Sequence, residues 1–296
     1  MSNHSEAPKG IHRIVKLPEK DLADLWKSII VDDEIKSRLV AQAIVNFTVR
    51  PKVKRTVLPL HGAILLVGPP GTGKTSLARG LANEVATLMS KAGFTLLEVD
   101  PHALGSAMMG KTQKAVSELF SQTIAEAATR GPTIVLLDEV ETLAVDRSKL
   151  SMDANPVDVM RATDAVLVQL DSLAEQFSNI LFIATSNFPQ AVDAAFTSRC
   201  DLVLEVPLPN HDACGQILTE CLTELGEIFK GIEKLPQESG FKHLVSDTVG
   251  LDGRTIRKVV ANALASRKEV AVAPTKLTMA DLRSAVTHAK ATRQKG

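Results

Sequence analysis

Cysteine is scarce in this 296-residue chain: there are three, with no Cys-x-x-Cys pair and no histidine at metal-ligand spacing. That pattern excludes a disulfide framework and a finger-type zinc site, and it leaves Cys200, Cys214 and Cys221 as buried thiols of a reducing cytosol. Net charge is missing as well. Lysine plus arginine and aspartate plus glutamate number 34 each, so nothing global draws the chain to nucleic acid or to an anionic membrane surface. Aromatic residues make up 3%, and no arginine-rich or aromatic strip offers a stacking face for single-stranded nucleic acid. No apolar run is long enough to cross a bilayer. Met1 to Gly10 is polar, contains Pro8 and Gly10, and lacks the apolar core of a signal peptide. A cytoplasmic protein without a membrane partner is expected. Internal repeats and low-complexity tracts are also absent.

What is present is ordinary globular material, 45% apolar and 23% charged, in a length that suits one larger and one smaller domain. Leu22, Leu25, Trp26, Ile29 and Ile30 recur at helical spacing, and Ile35, Leu39, Ile44 and Val45 continue the pattern, which predicts an N-terminal helical segment over 1–60. Ala63 to Val67 is a short apolar run ending in glycine. Four similar runs follow, Thr95 to Val99, Ile134 to Leu137, Ile180 to Ala184 and Leu202 to Val206, with helical patterns between them. Strand alternating with helix predicts an α/β domain over 61–207, a parallel sheet with helices on both faces. Pro207 and Pro209 mark its end. Over 208–296, Gln216 to Phe229, Thr255 to Ser266 and Met279 to His288 read as the helices of a small lid domain, the last opened by the capping-box pattern Thr278 to Asp281.

Gly68-Pro69-Pro70-Gly71-Thr72-Gly73-Lys74-Thr75 matches the phosphate-binding loop pattern, and it lies between a predicted strand and a predicted helix, where its chemistry needs it. Glycines let backbone N–H groups turn toward phosphate oxygens, and the helix start, running on through Ser76, adds favourable potential for anions. Lys74 can neutralise the outer phosphates of ATP, and the Thr75 hydroxyl can ligate Mg2+. The bland alternative, a Gly/Pro loop of no function, does not account for the flanking strand and helix.

Ile134-Val-Leu-Leu137-Asp138-Glu139 supplies the second half of the chemistry. At the end of a buried strand, Asp138 can hold Mg2+ through water, and Glu139 can act as general base on the attacking water. Asn187, after the Ile180 strand, carries an amide that can donate and accept at once and so orient that water; beside Pro189 it is equally a turn former. Arg199 has the permanent planar charge suited to a γ-phosphate, against a competing reading as a surface arginine paired with Asp201. Arg254 opens a helix of the small domain, where it can reach nucleotide or simply solvate the helix start.

With these positions placed, the sequence resembles the HORMA-remodelling branch of the AAA+ ATPases, the family of the pachytene-checkpoint and thyroid-receptor-interacting ATPases. The stretches that carry the likeness are Leu25-Trp-Lys-Ser-Ile-Ile-Val-Asp32, the loop from Gly68 to Leu77, Leu137-Asp-Glu-Val-Glu-Thr-Leu143, Asp164-Ala-Val-Leu-Val-Gln-Leu-Asp171, Ala184-Thr-Ser-Asn187, Ala195-Phe-Thr-Ser-Arg199-Cys-Asp201 and Leu251-Asp-Gly-Arg254. The resemblance implies a homo-hexameric ring that uses ATP and Mg2+ to unfold part of a HORMA-domain protein. It implies Asn187 as first sensor, Arg199 as the finger into the neighbouring subunit and Arg254 as second sensor.

Two features stand apart from the family pattern. Eukaryotic members carry a longer N-terminal domain for adaptor and substrate, whereas 67 residues precede Gly68 here. The short form looks like bacterial members that accompany HORMA proteins and nucleotidyltransferases in anti-phage cyclic-nucleotide signalling. The second is Met108-Met109-Gly110, in the connection that faces the central pore of AAA+ rings and usually carries an aromatic residue there. Methionine is adaptable enough to grip varied side chains, and equally suited to filling a core. A DNA-associated loader-type switch shares the nucleotide motifs, and the neutral charge weighs against it. A nucleotide-gated scaffold that hydrolyses little is disfavoured by the intact Glu139.

Overall fold

The structure is a computed structural model, and it describes residues 8, 10–89, 93–100, 112–144 and 156–293. Met108, Met109 and Gly110 lie outside the described residues. Six strands form one sheet: β1 (Ile11–Leu17), β2 (Ala63–Val67), β3 (Phe94–Val99), β4 (Thr133–Leu137), β5 (Ile180–Ser186) and β6 (Leu202–Glu205), in the order β1-β3-β4-β5-β2-β6. The five strands expected from apolar runs are parallel to one another. β1 is antiparallel to β3.

Every residue of β2, β3, β4 and β5 is buried, because alternate residues enter two different cores. Leu65, Leu97, Val135, Leu137 and Phe182 face the helical stretch from Thr112 to Arg130 and the helix Pro156–Gln176. Ile64, Leu66, Leu96, Ile134, Leu136 and Ile183 face the helices Asp33–Thr48 and Lys74–Leu88. Each fully buried Leu or Ile contributes about 1.5–3 kcal/mol, so the sheet is the main source of cohesion. Phe120 stacks on Phe182 at 6.0 Å in one core, and Phe47 meets Phe94 edge-on at 5.0 Å in the other.

The N-terminal helical reading holds for Lys20–Ser28 and Asp33–Thr48, but the chain ahead of them is strand β1. A bulge between Ile11 and Arg13 breaks the alternation: Ile11 enters one core, whereas Val15 and Leu17, an even number of residues further on, enter the other. The helix Lys20–Ser28 packs on the helix that follows the phosphate loop, where a Cβ on Gly80 would come within 2.9 Å of the Trp26 ring. Arg50 ties the end of the second helix to the sheet. It donates to the carbonyls of Ile180 at 2.8 Å and Ala174 at 3.0 Å, and burial holds its pKa down to about 10.

Two compact units divide the chain, one built from the residues up to Gly68 and from Lys74 to Val206, the other from Pro69–Gly73 and the residues from Pro207 onward. The second unit is helical: His211–Ile228, Phe241–Thr248, Gly253–Leu264, Lys268–Val272 and Met279–Arg293. Asn210 and Asp252 cap two of these helices by accepting from Ala213 N at 2.8 Å and Thr255 N at 2.9 Å. The Thr278–Asp281 capping box is reciprocal, with backbone-to-side-chain bonds of 3.0 and 3.3 Å.

Candidate nucleotide-hydrolysis site

In a doubly wound sheet, ligands bind beyond the carboxyl ends of the strands where the strand order reverses. β4, β5 and β2 are neighbours here, and their carboxyl ends lead directly into Asp138, Asn187 and Gly68. The loop after β2 takes its shape from glycine. Gly68, Gly71 and Gly73 have φ of 147, 81 and 92°, values that side chains disfavour, and a Cβ on Gly68 would sit 2.3 Å from the Val206 carbonyl oxygen. Buried Lys74 donates from Nζ to the Gly68 carbonyl at 2.9 Å. Within the second unit, Pro69–Gly73 is held by the start of the helix Gly253–Leu264. Arg254 N donates to the Gly71 carbonyl at 3.2 Å, and Asp252 leaves no room for a side chain at Gly71. The Arg254 backbone therefore lies beside the phosphate-loop residues of its own unit.

Asp138 is the hub of the large unit's site. Its Oδ1 accepts from Thr75 Oγ1 at 2.7 Å and from the Thr185 hydroxyl. Thr185 also accepts from Glu139 N at 3.2 Å, so one hydroxyl of β5 fixes both acidic residues after β4. Glu139 has φ 50° and ψ 52°, the one positive-φ residue other than glycine among those described, a strained conformation of the kind that collects at functional sites. Asn187 Nδ2 donates to Glu139 Oε1 at 3.3 Å, and Asn187 N donates to Glu141 Oε1 at 3.1 Å. The residues expected to bind Mg2+, activate water and orient it thus converge from three strand ends. Thr75 and Asp138 offer one hydroxyl and one carboxylate. That sparse hard-oxygen set suits Mg2+, which keeps several waters and takes phosphate oxygens, and among the described residues no cluster of three or more His, Cys, Asp or Glu side chains offers a closed cage.

Arg199 is not part of this group. Its three nitrogens donate elsewhere, Nε and Nη2 to the two carboxylate oxygens of Asp171 at 3.0 and 2.8 Å and Nη1 to the Ala195 carbonyl at 2.7 Å. This fork-to-fork pair raises the Arg199 pKa and lowers that of Asp171. The competing pairing with Asp201 does not form: that carboxylate instead accepts from the backbone N–H groups of His61, Gly62 and Ala63 at the start of β2. Sequence reasoning missed Thr185 and Asp171 as functional partners. Both lie inside stretches that carried the family likeness, but only the pairing of β4 with β5 and the packing of the helix Pro156–Gln176 reveal what they touch. The three cysteines are free, and burial raises the pKa of each, that of Cys200 to about 12, so they are weakly reactive thiols.

Residues 64–208 match the family described as ATPase family associated with various cellular activities (AAA). CD-NTase-associated protein 6 of Pseudomonas aeruginosa is 66% identical over 295 residues, covering 100% of this chain and 97% of that protein. A pachytene checkpoint protein 2 homolog of Xenopus tropicalis is 32% identical over 277 residues, covering 84% of this chain. The chain belongs to the HORMA-remodelling branch of the AAA+ ATPases. It spans 63% of the length of the Xenopus relative and 49% of the chicken one. The fold of this AAA+ chain aligns with a structure of C. elegans PCH-2 at a TM-score of 0.75 and 26% identity, over 99% of this chain and 78% of that one. A chain of the HORMA:CdnC:Trip13 complex of E. coli MS115-1 aligns at 0.74 and 22% identity, over 94% and 95% respectively, which shows a shared fold. As a member of the family the protein is a nucleotide-binding ATPase. No helix among the described residues is long and apolar enough to cross a membrane.

Proposed function

We propose that this AAA+ ATPase works as a homo-hexameric ring that spends ATP hydrolysis on partly unfolding a HORMA-domain protein in anti-phage cyclic-nucleotide signalling. The observation that carries the reading is the division of the catalytic groups. Asp138, Glu139 and Asn187 are assembled within the large unit, whereas Arg199 is held apart from them on Asp171. A site complete except for one cation calls for a neighbour to supply it.

In this reading the glycine-shaped loop binds the phosphates, Lys74 leaves the Gly68 carbonyl for the outer phosphates, and Arg254 serves as the second sensor. Thr75 and Asp138 would hold Mg2+, which when bound would supply neutralisation of the charge on the transferring phosphoryl group. Glu139 removes a proton from the attacking water while the Asn187 amide holds that water in line. Arg199 of the adjacent protomer stabilises the charge that builds up in the transition state. The substrate class is supported by the 66% identity to a CD-NTase-associated protein and by the kinship with pachytene checkpoint proteins.

The test is ATPase stimulation. A HORMA-domain protein supplied as substrate is expected to raise the hydrolysis rate and to change conformation in an ATP-dependent manner, measured by protease protection of the HORMA protein. Stimulation by DNA in its place would point to a loader-type ATPase and reject the remodelling assignment.

A further inference from the structure

The helix Lys74–Leu88 presents Arg79 one turn after Thr75, on the face that looks at the sheet. There it meets Glu98 of β3, Nη2 to Oε2 at 2.7 Å. Glu98 is 3% exposed and stands on the strand face whose other positions, Phe94 and Leu96, are pure core. In register it lies opposite Leu136, two residues before Asp138. Arg79, Glu98, Asp138 and Glu139 line one pocket, together with His12 of β1 and Asp100.

This pair is badly made for a structural brace. An arginine and a carboxylate chosen for cohesion meet fork to fork, as Arg199 and Asp171 do. Here a single contact forms, and both Arg79 Nε and Glu98 Oε1 are buried without a hydrogen-bond partner. A buried ion pair is rarely worth its desolvation, and one with two unmet polar atoms is worth less. The arrangement makes sense instead as a restraint on a cation. Arg79 is a long side chain, one-third exposed, in the same pocket as the hydrolytic carboxylate. A guanidinium on Glu139 would occupy the oxygens that must receive a proton from water.

We propose that Glu98 is a positioning residue for hydrolysis: from the floor of the pocket it holds the Arg79 guanidinium on β3 and keeps it off Glu139. The inference rests on Glu139 being the general base.

The experiment compares three variants of the full chain, Glu98→Gln, Arg79→Gln and the double variant, by steady-state ATPase, affinity for a fluorescent ATP analogue and thermal melting. A general base contributes 10²–10⁴ in rate, so an obstructed one in Glu98→Gln lowers kcat by about tenfold or more at unchanged nucleotide affinity. Arg79→Gln has no stray cation and keeps kcat within about twofold, and the double variant recovers to near that level. A mere brace behaves differently: both single variants melt earlier and lose activity alike. Wild-type kcat in Glu98→Gln, equal losses in the two single variants, or a double variant that does not recover would each overturn the proposal. If Glu98→Gln does not fold, Arg79→Gln decides, and a tenfold loss of kcat there rejects it. Glu139→Gln is measured in parallel: if it hydrolyses like the wild type, the base is misassigned, whatever the Glu98 variants do.

Discussion

Glu139 shows how much positioning one side chain requires. It follows a buried strand, adopts a left-handed backbone conformation, is anchored at its N–H by Thr185 and is met at its carboxylate by Asn187. Replacing it by glutamine keeps shape and hydrogen bonding but removes the basic oxygen. Glu139→Gln is therefore expected to bind ATP with wild-type affinity and to lose turnover by about 10²-fold or more, seen as stoichiometric retention of unhydrolysed ATP. Lys74→Ala behaves in the opposite order. Its buried ammonium is the large unit's cation closest in sequence to the loop glycines, so nucleotide affinity itself falls, as equilibrium binding measures.

Among the larger pieces, the capping box of the last helix is the clearest case of a local pattern enlisted by packing. Asp281 accepts from Thr278 as its sequence predicts, but it also accepts from Arg267 Nε and Nη2 at 2.8 and 2.7 Å and from Ser266 Oγ at 3.1 Å. The Arg267 hydrogen bonds, with help from Thr278 and Ser266, hold its pKa well below the usual carboxylate range, and burial opposes them only in part. A depressed folded-state pKa means that the stabilisation is fully present above the unfolded-state value and fades as pH falls toward the folded one. Asp281→Asn is expected to lower the melting temperature most at neutral pH, and the gap from wild type should close as pH drops below about 4. A gap independent of pH would show that the carboxylate charge contributes nothing.

For the assembled molecule, the decisive feature is the separation of Arg199 from the residues it is expected to serve. Asp171 holds the guanidinium charged, as the proposed role at a neighbouring subunit's site requires. Supplying or withholding an arginine finger changes phosphoryl-transfer rates by about 10³ to 10⁵. Arg199→Ala and Lys74→Ala subunits should each be inactive alone, and mixing them should restore hydrolysis at interfaces where an intact loop meets an intact finger. Specific activity of the wild type should rise with concentration as subunits associate. An unrestored mixture, or dilute subunits as active as concentrated ones, would place the arginine's role within its own chain.

Sequence by itself determined the parts of this protein whose causes are local. Five parallel strands, four of them buried throughout, the glycine loop, the acidic pair after β4 and the capping box were all legible, because strand burial, backbone freedom and caps leave their marks on consecutive residues. Tertiary structure decided what depends on neighbours distant in the chain. Strand β1 was hidden by a bulge, since its inward positions are defined by pairing with β3 and not by alternation along the sequence. Arg199 was placed on Asp171 instead of Asp201, because a helix 28 residues away supplies the carboxylate while Asp201 is taken by the start of β2. Arg79 and Glu98 look like surface charges in a list of residues. Only the packing of one helix on one sheet face puts them in the same pocket as Asp138 and Glu139.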